Sequence, residues 1–226
     1  MRKLLFISSL ALLSVLTGCV EIIDDLTLNL DGSGNFKYNL NLSSSKVKIN
    51  SLLALDSLDG RKVPSLPEIK AKVARIETQL DAQTGISNVK IDADYDNFIF
   101  KLSCDFSSLS ELQGAVKKVI ISENSNKPIP ELDFNWLIFE DNKLERSVPE
   151  ITIKKSNEIN EADRDLLKKG TYTSITRFEG EIEKYNNEKA VLSANKKAVM
   201  IRTDPYSLAQ NPRLLDNVIY LRNSKD

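Results

Sequence analysis

Apolar and polar residues alternate in two pairs of neighbouring segments in the first half of the chain, which predicts two β-hairpins. In the first pair, the apolar positions lie on both sides of the turn Asp31-Gly32-Ser33-Gly34. The predicted cross-strand partners are Leu30 with Phe36, Leu28 with Tyr38, and Leu26 with Leu40. This register makes one face of the hairpin apolar, because paired residues in an antiparallel ladder share a face.

The second hairpin is predicted around the turn Asp96-Asn97. Its predicted partners are Tyr95 with Phe98, Ala93 with Phe100, Ile91 with Leu102, and Val89 with Cys104. Polar residues of the same strands share the other face, namely Lys90, Asp92, Asp94, Lys101, Ser103 and Asp105. Both hairpins are therefore expected to form an antiparallel sheet that is covered on one side only.

Two amphipathic helices with N-terminal capping signals are expected to cover this sheet. The first carries apolar residues at three- and four-residue steps, and Ser65 with Glu68 forms a capping-box pattern before it; the apolar positions are Leu66, Ile69, Val73, Ile76 and Leu80. The second runs from Leu109 to Ile121, with Ser108 and Glu111 in the corresponding positions. Residues 47–58 give a third, weaker helical pattern. The first half therefore predicts an α+β fold in which helices pack on one face of the hairpins.

The second half begins after a polar stretch, Asn124 to Pro130, which contains two prolines. The elements predicted beyond it are a hairpin over 134–148 with its turn at Asp141-Asn142, a helix from Asn160 to Gly170, strands over 171–182, 190–192 and 198–203, a helical turn at Asp204-Pro205, and a last strand over 218–221. The hairpins form one or two sheets. We interpret residues 19–226 as a single domain, and a division into two subdomains near 124–130 stays open.

The first 18 residues have the pattern of an export signal. Met1-Arg2-Lys3 is a short basic start, and the run from Leu4 to Val15 carries no charge. This run is too short to span a bilayer, which takes about 20 helical residues. It ends in Leu16-Thr17-Gly18-Cys19, which resembles the bacterial lipobox. We therefore expect cleavage between Gly18 and Cys19 and acylation of the Cys19 thiol; the alternative is an ordinary export signal after which Cys19 joins a disulfide.

Anchoring by acyl chains at Cys19 has consequences for location and partners. The first predicted strand starts within a few residues of Cys19, so the domain is expected close to the membrane of the bacterial cell envelope. Val20 at the position after the cysteine favours the outer membrane, by the rule known for enteric bacteria. Without residues 1–18 the chain has 29 basic and 32 acidic side chains. This negative charge argues against nucleic acid as a partner.

Candidate catalytic groups are few, because the chain contains no histidine. Ser43 with Lys46 and Ser193 with Lys196 match the spacing of serine–lysine acyl enzymes but lack the companion motifs. Asp92, Asp94 and Asp96 resemble the opening of a calcium-binding loop, although Asn97 and Ser103 stand where that loop has its glycine and its bidentate glutamate. No metal or other cofactor is expected, and Cys104 is interpreted as a buried apolar residue.

A lipid or other apolar ligand between the sheet and its helices would fit a domain held at a membrane. The candidate lining residues are Tyr38, Phe98 and Phe100. The alternative is that these aromatic side chains simply form the core.

Two patterns resemble the LppM-like lipoprotein domain. They are the Asp31-Gly32-Ser33-Gly34-Asn35-Phe36 turn in a hairpin that follows a lipidated cysteine, and the later strand Tyr172-x5-Phe178-x-Gly180-x-Ile182 followed by Ala190-Val191-Leu192-Ser193. This resemblance implies an envelope lipoprotein with a lipid-associated or host-surface role, and it transfers no catalytic residue.

The sequence therefore favours a membrane-anchored, non-enzymatic binding or scaffolding domain, whose partner would be a lipid or an envelope protein. The alternative is an envelope enzyme that uses carboxylates alone, such as a glycosidase, which requires two acids facing one cleft.

Overall fold

The computed structural model describes residues 20–58, 60–148, 164 and 167–222. The helices are α1 (Lys46–Leu53), α2 (Leu66–Asp81), α3 (Leu109–Glu123) and α4 (Pro205–Gln210). The strands are β1 (Glu21–Leu28), β2 (Gly34–Asn41), β3 (Ser57–Leu58), β4 (Arg61–Lys62), β5 (Ile86–Asp94), β6 (Ile99–Phe106), β7 (Leu137–Glu140), β8 (Lys143–Arg146), β9 (Thr171–Phe178), β10 (Ile182–Tyr185), β11 (Val191–Leu192), β12 (Ala198–Thr203) and β13 (Asn217–Leu221). The predicted α+β class is confirmed.

The strands form a seven-stranded sheet in the order β11-β12-β9-β1-β2-β6-β5, a four-stranded sheet in the order β10-β13-β8-β7, and the β3–β4 ribbon. All neighbours in the large sheet are antiparallel except β1 and β9, which run parallel from Glu21 beside Thr171 to Leu28 beside Phe178. The prediction of antiparallel hairpins alone was therefore incomplete. A parallel neighbour needs a long crossover, and here it comprises everything between β1 and β9.

The first hairpin has the predicted apolar face but a different register. The observed partners on this face are Ile22 with Leu40, Asp24 with Tyr38, Leu26 with Phe36, and Leu28 with Gly34. The predicted pairs of Leu30 with Phe36, Leu28 with Tyr38 and Leu26 with Leu40 were wrong, because the turn starts earlier. The N–H of Asn29 donates to the Ser33 carbonyl (2.8 Å), which leaves Leu30 inside the turn and 45% exposed.

The second hairpin confirms the predicted pairs of Ala93 with Phe100 and Ile91 with Leu102. The register then shifts between Ser87 and Lys90, so Val89 shares its place opposite Cys104 with Asn88 instead of forming the predicted regular pair. Asn88 causes the shift. It adopts a φ of 52°, and its side-chain amide donates to Asp105 (2.7 Å), which is the geometry of a β-bulge.

The two predicted helices α2 and α3 are confirmed, together with their N-caps. The N–H of Ser65 donates to the Glu68 carboxylate (2.7 Å), and the Ser65 hydroxyl accepts from the N–H of Glu68. Ser108 accepts from the N–H of Glu111 in the same way (3.2 Å). The third helix is shorter than predicted. α1 ends at Leu53, and Ser57–Leu58 belong instead to the ribbon with β4.

The second half contains the predicted hairpin with Asp141 and Asn142 at its turn, where both residues have positive φ. The single strand predicted over 171–182 was wrong, because the chain bends at Glu179 and Gly180 and continues in the other sheet as β10. Most of the helix predicted from Asn160 to Gly170 lies outside the described residues, as do the export signal and Cys19.

One face of the large sheet is covered by two different layers. α2 and α3 pack over the β5 and β6 side, and the four-stranded sheet packs over β1 and β9. Gln113 of α3 joins these layers, since its side-chain oxygen accepts from the N–H groups of Trp136 (2.7 Å) and Leu137 (3.0 Å). The core includes residues on both sides of the stretch from Asn124 to Pro130.

Several segments meet at the end of the large sheet where Glu21 pairs with Asn41 and Thr171, and Asn41 pairs with Ile99. We name it the entry end, because the chain enters β1 here from Val20. α2 begins at this end. The Lys70 ammonium lies 5.1 Å from the Tyr95 ring centre, and Glu77 accepts from Ile91 farther along β5. α2 therefore runs antiparallel to β5, away from the entry end.

Gly34 and Gly114 offer a matched test of the packing. A Cβ at Gly34 would overlap the Thr27 carbonyl and lie 2.6 Å from the Phe106 ring, whereas a Cβ at Gly114 of α3 would meet nothing within 4 Å. We expect Gly34→Ala to lower the free energy of unfolding by about 1 to 3 kcal/mol. Gly114→Ala should raise it by about 0.5 to 1 kcal/mol, since alanine favours the helix. Urea unfolding measures both; equal effects would contradict this packing.

Candidate functional site

An open groove of about 700 Å³ lies between α2 and the large sheet. Its floor consists of Leu40 of β2 and Phe100 of β6, and its wall is the apolar stripe of α2. The apolar side chains along it are Leu40, Pro64, Ile69, Ala71, Val73, Ile76 and Phe100. The apolar stripe that predicted α2 therefore also lines the groove, because only part of this stripe is in contact with the sheet.

The rim of the groove is charged, and its charges pair with one another. Lys62 lies 2.5 Å from Glu68, and Glu123 of α3 is bonded by Arg75 (2.8 Å) and approached by Lys72 (3.4 Å). The hydrogen bond from Lys62, helped by those from Ser65, lowers the pKa of Glu68 to about 2. The hydrogen bond from Arg75 likewise lowers the pKa of Glu123.

These two acids bear on the carboxylate-only enzyme. A glycosidase needs one carboxyl group that stays protonated near neutral pH, and its pKa must therefore be raised. Glu68 and Glu123 are both shifted in the opposite direction, and each is held by a cation. The acids of the groove therefore suit ion pairing at the rim better than general acid catalysis.

A second cavity of about 270 Å³ lies between the two sheets. The residues along it are Asp24, Leu26, Phe36, Tyr38, Trp136, Leu137, Arg146, Ser147, Val148, Tyr172, Leu208 and Leu215. Most are apolar, but a charged pair lies among them. This cavity is separated from the groove along β2, where Phe36 and Tyr38 face the cavity and Leu40 faces the groove.

The charged pair is Asp24 of β1 with Arg146 of β8. Asp24 is only 3% exposed, and one of its oxygens accepts from Arg146 (2.8 Å) and from the Ser174 hydroxyl (3.0 Å). Its other oxygen accepts from the Tyr172 hydroxyl. Arg146 also donates to Thr176 (3.3 Å), while its Nε is buried without a hydrogen-bond partner. The cluster thus joins β1 and β9 of one sheet to β8 of the other.

The Asp24 charge also affects the neighbouring titratable groups. Burial, together with the nearby carboxylate, raises the pKa of Tyr172 well above its usual value and also raises the pKa of Tyr38. Burial lowers the pKa of Arg146, but the Asp24 carboxylate outweighs this effect, so that the pKa is raised overall. The tyrosines therefore stay neutral and Arg146 stays charged, which suits a structural pair.

The predicted lining residues do not share one cavity. Phe100 lines the groove, Tyr38 lines the cavity between the sheets, and Phe98 is buried (5% exposed) and lines neither. The buried pair of Asp24 and Arg146 was not predicted from the sequence. The signal for Asp24 was an acid at an inward position of β1, in the series Ile22, Asp24, Leu26 and Leu28.

The other candidate groups have local partners. Ser193 donates to Asn195 and accepts from the N–H of Ala198, while Lys46 donates to Asn97 (3.2 Å). Cys104 is buried, and desolvation raises the pKa of its thiol to about 11. Within the described ranges, no three or more acids or cysteines cluster in a way that could hold a metal ion. None of the described helices combines the length and the hydrophobicity that a membrane span needs.

The similarity of this chain to known proteins is slight. No protein-family profile and no curated protein sequence matches the chain. Among solved structures, the chain is similar to the NMR structure of the folded domain of LppM from Mycobacterium tuberculosis, with 11% sequence identity and a TM-score of 0.41 over 92% of each chain. A likeness of this size does not assign the chain to a family.

Asp24 and its neighbour Asp25 allow a matched test of the buried pair. Asp24→Asn should lower the free energy of unfolding by about 3 to 5 kcal/mol, because it leaves Arg146 charged and buried. Asp25→Asn removes the exposed pair with Arg177 (2.9 Å) and should cost no more than about 1 kcal/mol. Chemical denaturation of both variants decides this; similar losses would show that Asp24 does not join the sheets.

Proposed function

We propose that this chain is a membrane-anchored lipoprotein of the bacterial cell envelope whose domain binds an apolar ligand, such as a lipid acyl chain, without catalysing a reaction. The groove between α2 and the large sheet is the proposed site. The observation that carries the proposal is the combination of an apolar floor and wall with a rim whose charges pair among themselves.

The size and lining of the groove support this proposal. Small-molecule sites commonly have volumes of about 300 to 1,000 Å³ and mostly apolar walls with few polar groups. The groove, at about 700 Å³, falls in this range. The cavity between the sheets is smaller and contains the Asp24–Arg146 pair, which a ligand would have to displace or pack against. The groove therefore suits an acyl chain better.

The rim suggests which end of a lipid would lie there. Lys62, Lys72 and Arg75 carry three positive charges, and Glu68 and Glu123 carry two negative ones. One positive charge remains after pairing, which favours an anionic headgroup over a cationic one. An acyl chain would then lie along Ile69, Val73 and Ile76 with its headgroup at the rim.

The anchor supports the same function. Acylation of Cys19 would place two or three acyl chains one residue before Val20, whose carbonyl already accepts from the N–H of Thr171 in the large sheet (2.7 Å). Anchoring with this number of chains is stable, unlike that with a single chain. The domain would thus stay next to the lipids from which it takes its ligand. Val20, the residue after the acylated cysteine, favours the outer membrane as the location.

Filling the groove should weaken ligand binding. Ala71 lines the groove and is exposed, whereas Ala74 on the same helix is exposed outside it. In the full acylated protein reconstituted into vesicles, we expect Ala71→Trp to weaken the affinity for a diazirine-bearing palmitate about tenfold (about 1.4 kcal/mol), which lowers the yield of photo-crosslinking at subsaturating palmitate. Mass spectrometry of the peptides that contain α2 measures the yield.

Ala74→Trp is the control for this experiment and should cross-link like the unmodified protein. Equal yields in both variants would place the palmitate elsewhere and contradict the groove as the site. Absence of cross-linking in the unmodified protein would contradict the binding function itself.

Acylation can be tested with the two cysteines of the chain. Cys19→Ser should abolish incorporation of an alkyne-bearing palmitate in cells, because it removes the thiol that receives the glyceride. Cys104→Ser should keep the incorporation, since the Cys104 thiol is buried. Intact-mass measurement should also show that residues 1–18 are absent only when Cys19 is present. Continued labelling of Cys19→Ser would contradict the anchor.

A further inference from the structure

Exposed apolar side chains are concentrated in residues 46–58, the segment that runs from the start of α1 to the end of β3. In this segment Val47 is 81% exposed, Leu55 44% and Leu58 43%. The described part of the chain has four other exposed large apolar residues, namely Leu30, Ile138, Val191 and Met200. Three of the seven thus fall within 13 consecutive residues.

α1 has little reason to be stable by itself. It has eight residues, and none of them is buried. Helices shorter than about 12 residues are marginal in water unless packing against another surface stabilises them. Of its four apolar residues, Ile49, Leu52 and Leu53 are half-buried and Val47 is exposed, so none has the full burial that normally stabilises such a short helix.

Both ends of the segment lie at the entry end of the large sheet. Before α1, the N–H of Leu42 donates to the Phe98 carbonyl (3.0 Å), and Lys46 donates to Asn97 (3.2 Å), so the chain leaves beside the β5–β6 turn. After the segment, Lys62 bonds Glu68 in the first turn of α2, which also starts at this end. Val20, the residue after Cys19, lies at this end as well.

From this placement we infer that residues 46–58 form a second membrane contact, which inserts Val47, Leu55 and Leu58 into the interface of the bilayer that holds the acyl chains. Lys46 and Lys48 flank Val47, and Asp56 is the single acid of the segment. This balance suits an anionic lipid surface. The inference rests on the proposed acylation of Cys19, which brings the entry end to the membrane.

Membrane contact would also determine how the groove is oriented. Leu40 and Phe100 of its floor lie one residue from Asn41 and Ile99 at the entry end, and Lys62 and Pro64 line the groove just before α2 begins. Insertion of the neighbouring segment would therefore hold this part of the groove close to the lipid surface.

A site-specific fluorophore tests the contact. A cysteine introduced at Val47 or Leu55 can be labelled selectively with a nitrobenzoxadiazole dye, because Cys104 is 2% exposed and the Cys19 sulfur is occupied in the acylated protein. The control is Leu30→Cys, whose native side chain is 45% exposed at the opposite end of β1. The full acylated protein is reconstituted into vesicles of phosphatidylethanolamine and phosphatidylglycerol, with and without acyl-chain nitroxide lipids.

We expect the dyes at positions 47 and 55 to show blue-shifted emission that the nitroxide lipids quench, and the dye at position 30 to show neither effect. Unquenched emission at 47 and 55 in a protein whose mass confirms acylation would overturn the membrane contact and leave the anchor intact. A mass without the glyceride would overturn the proposed anchor and this inference with it.

Discussion

The ion pair between Asp24 and Arg146 determines how the two sheets of this protein lie against each other. Asp24 is 3% exposed, and a carboxylate in such a place is costly unless all its oxygens find donors. Those donors come from β8 through Arg146 and from β9 through Tyr172 and Ser174. The sheets can therefore not slide past each other without leaving a buried charge unpaired. The four-stranded sheet thus stays over β1 and β9, and the rest of the inner face is left to the helices.

The hydrophobic pattern predicted which side chains share a face of the sheet more accurately than it predicted the register between strands. The turns explain the difference. Alternation placed Leu26, Leu28 and Phe36 correctly on the covered side, because Leu26 pairs with Phe36 instead of Leu40, four residues away, and an even shift keeps the same face. It could not locate the turn, because Leu30 continues the apolar alternation although it lies in the loop. Asn88 had a comparable effect in β5, where one residue with positive φ displaces the pairing beyond it. The capping pairs were more informative, because Ser65 with Glu68 is a local interaction that tertiary packing did not override.

The site was predictable in outline and not in detail. A ligand space between sheet and helices followed from the two apolar faces, and Phe100 does line the groove. Tyr38 was misplaced because the second layer over β1 was not visible in the pattern, and that layer forms a separate cavity around it. Asp24 gave a signal as an acid among inward apolar residues. Its partner did not, because Arg146 is 122 residues away and belongs to another sheet.

The arrangement at the entry end explains why one end of the domain would serve both anchoring and binding. β1 has eight residues and extends about 26 Å, at about 3.3 Å per residue, so under the proposed anchoring the opposite end of the sheet would be well away from a membrane at Val20. The Asp24–Arg146 pair fills the inner face partway along this length, and the apolar groove lies beside β2 and β6, where Leu40 and Phe100 are each one residue from the near end. A ligand that moves between bilayer and groove would then pass apolar side chains of residues 46–58 and the paired charges of the rim. It would not cross the cavity between the sheets, so the proposed exchange with the membrane would require no separation of the two layers.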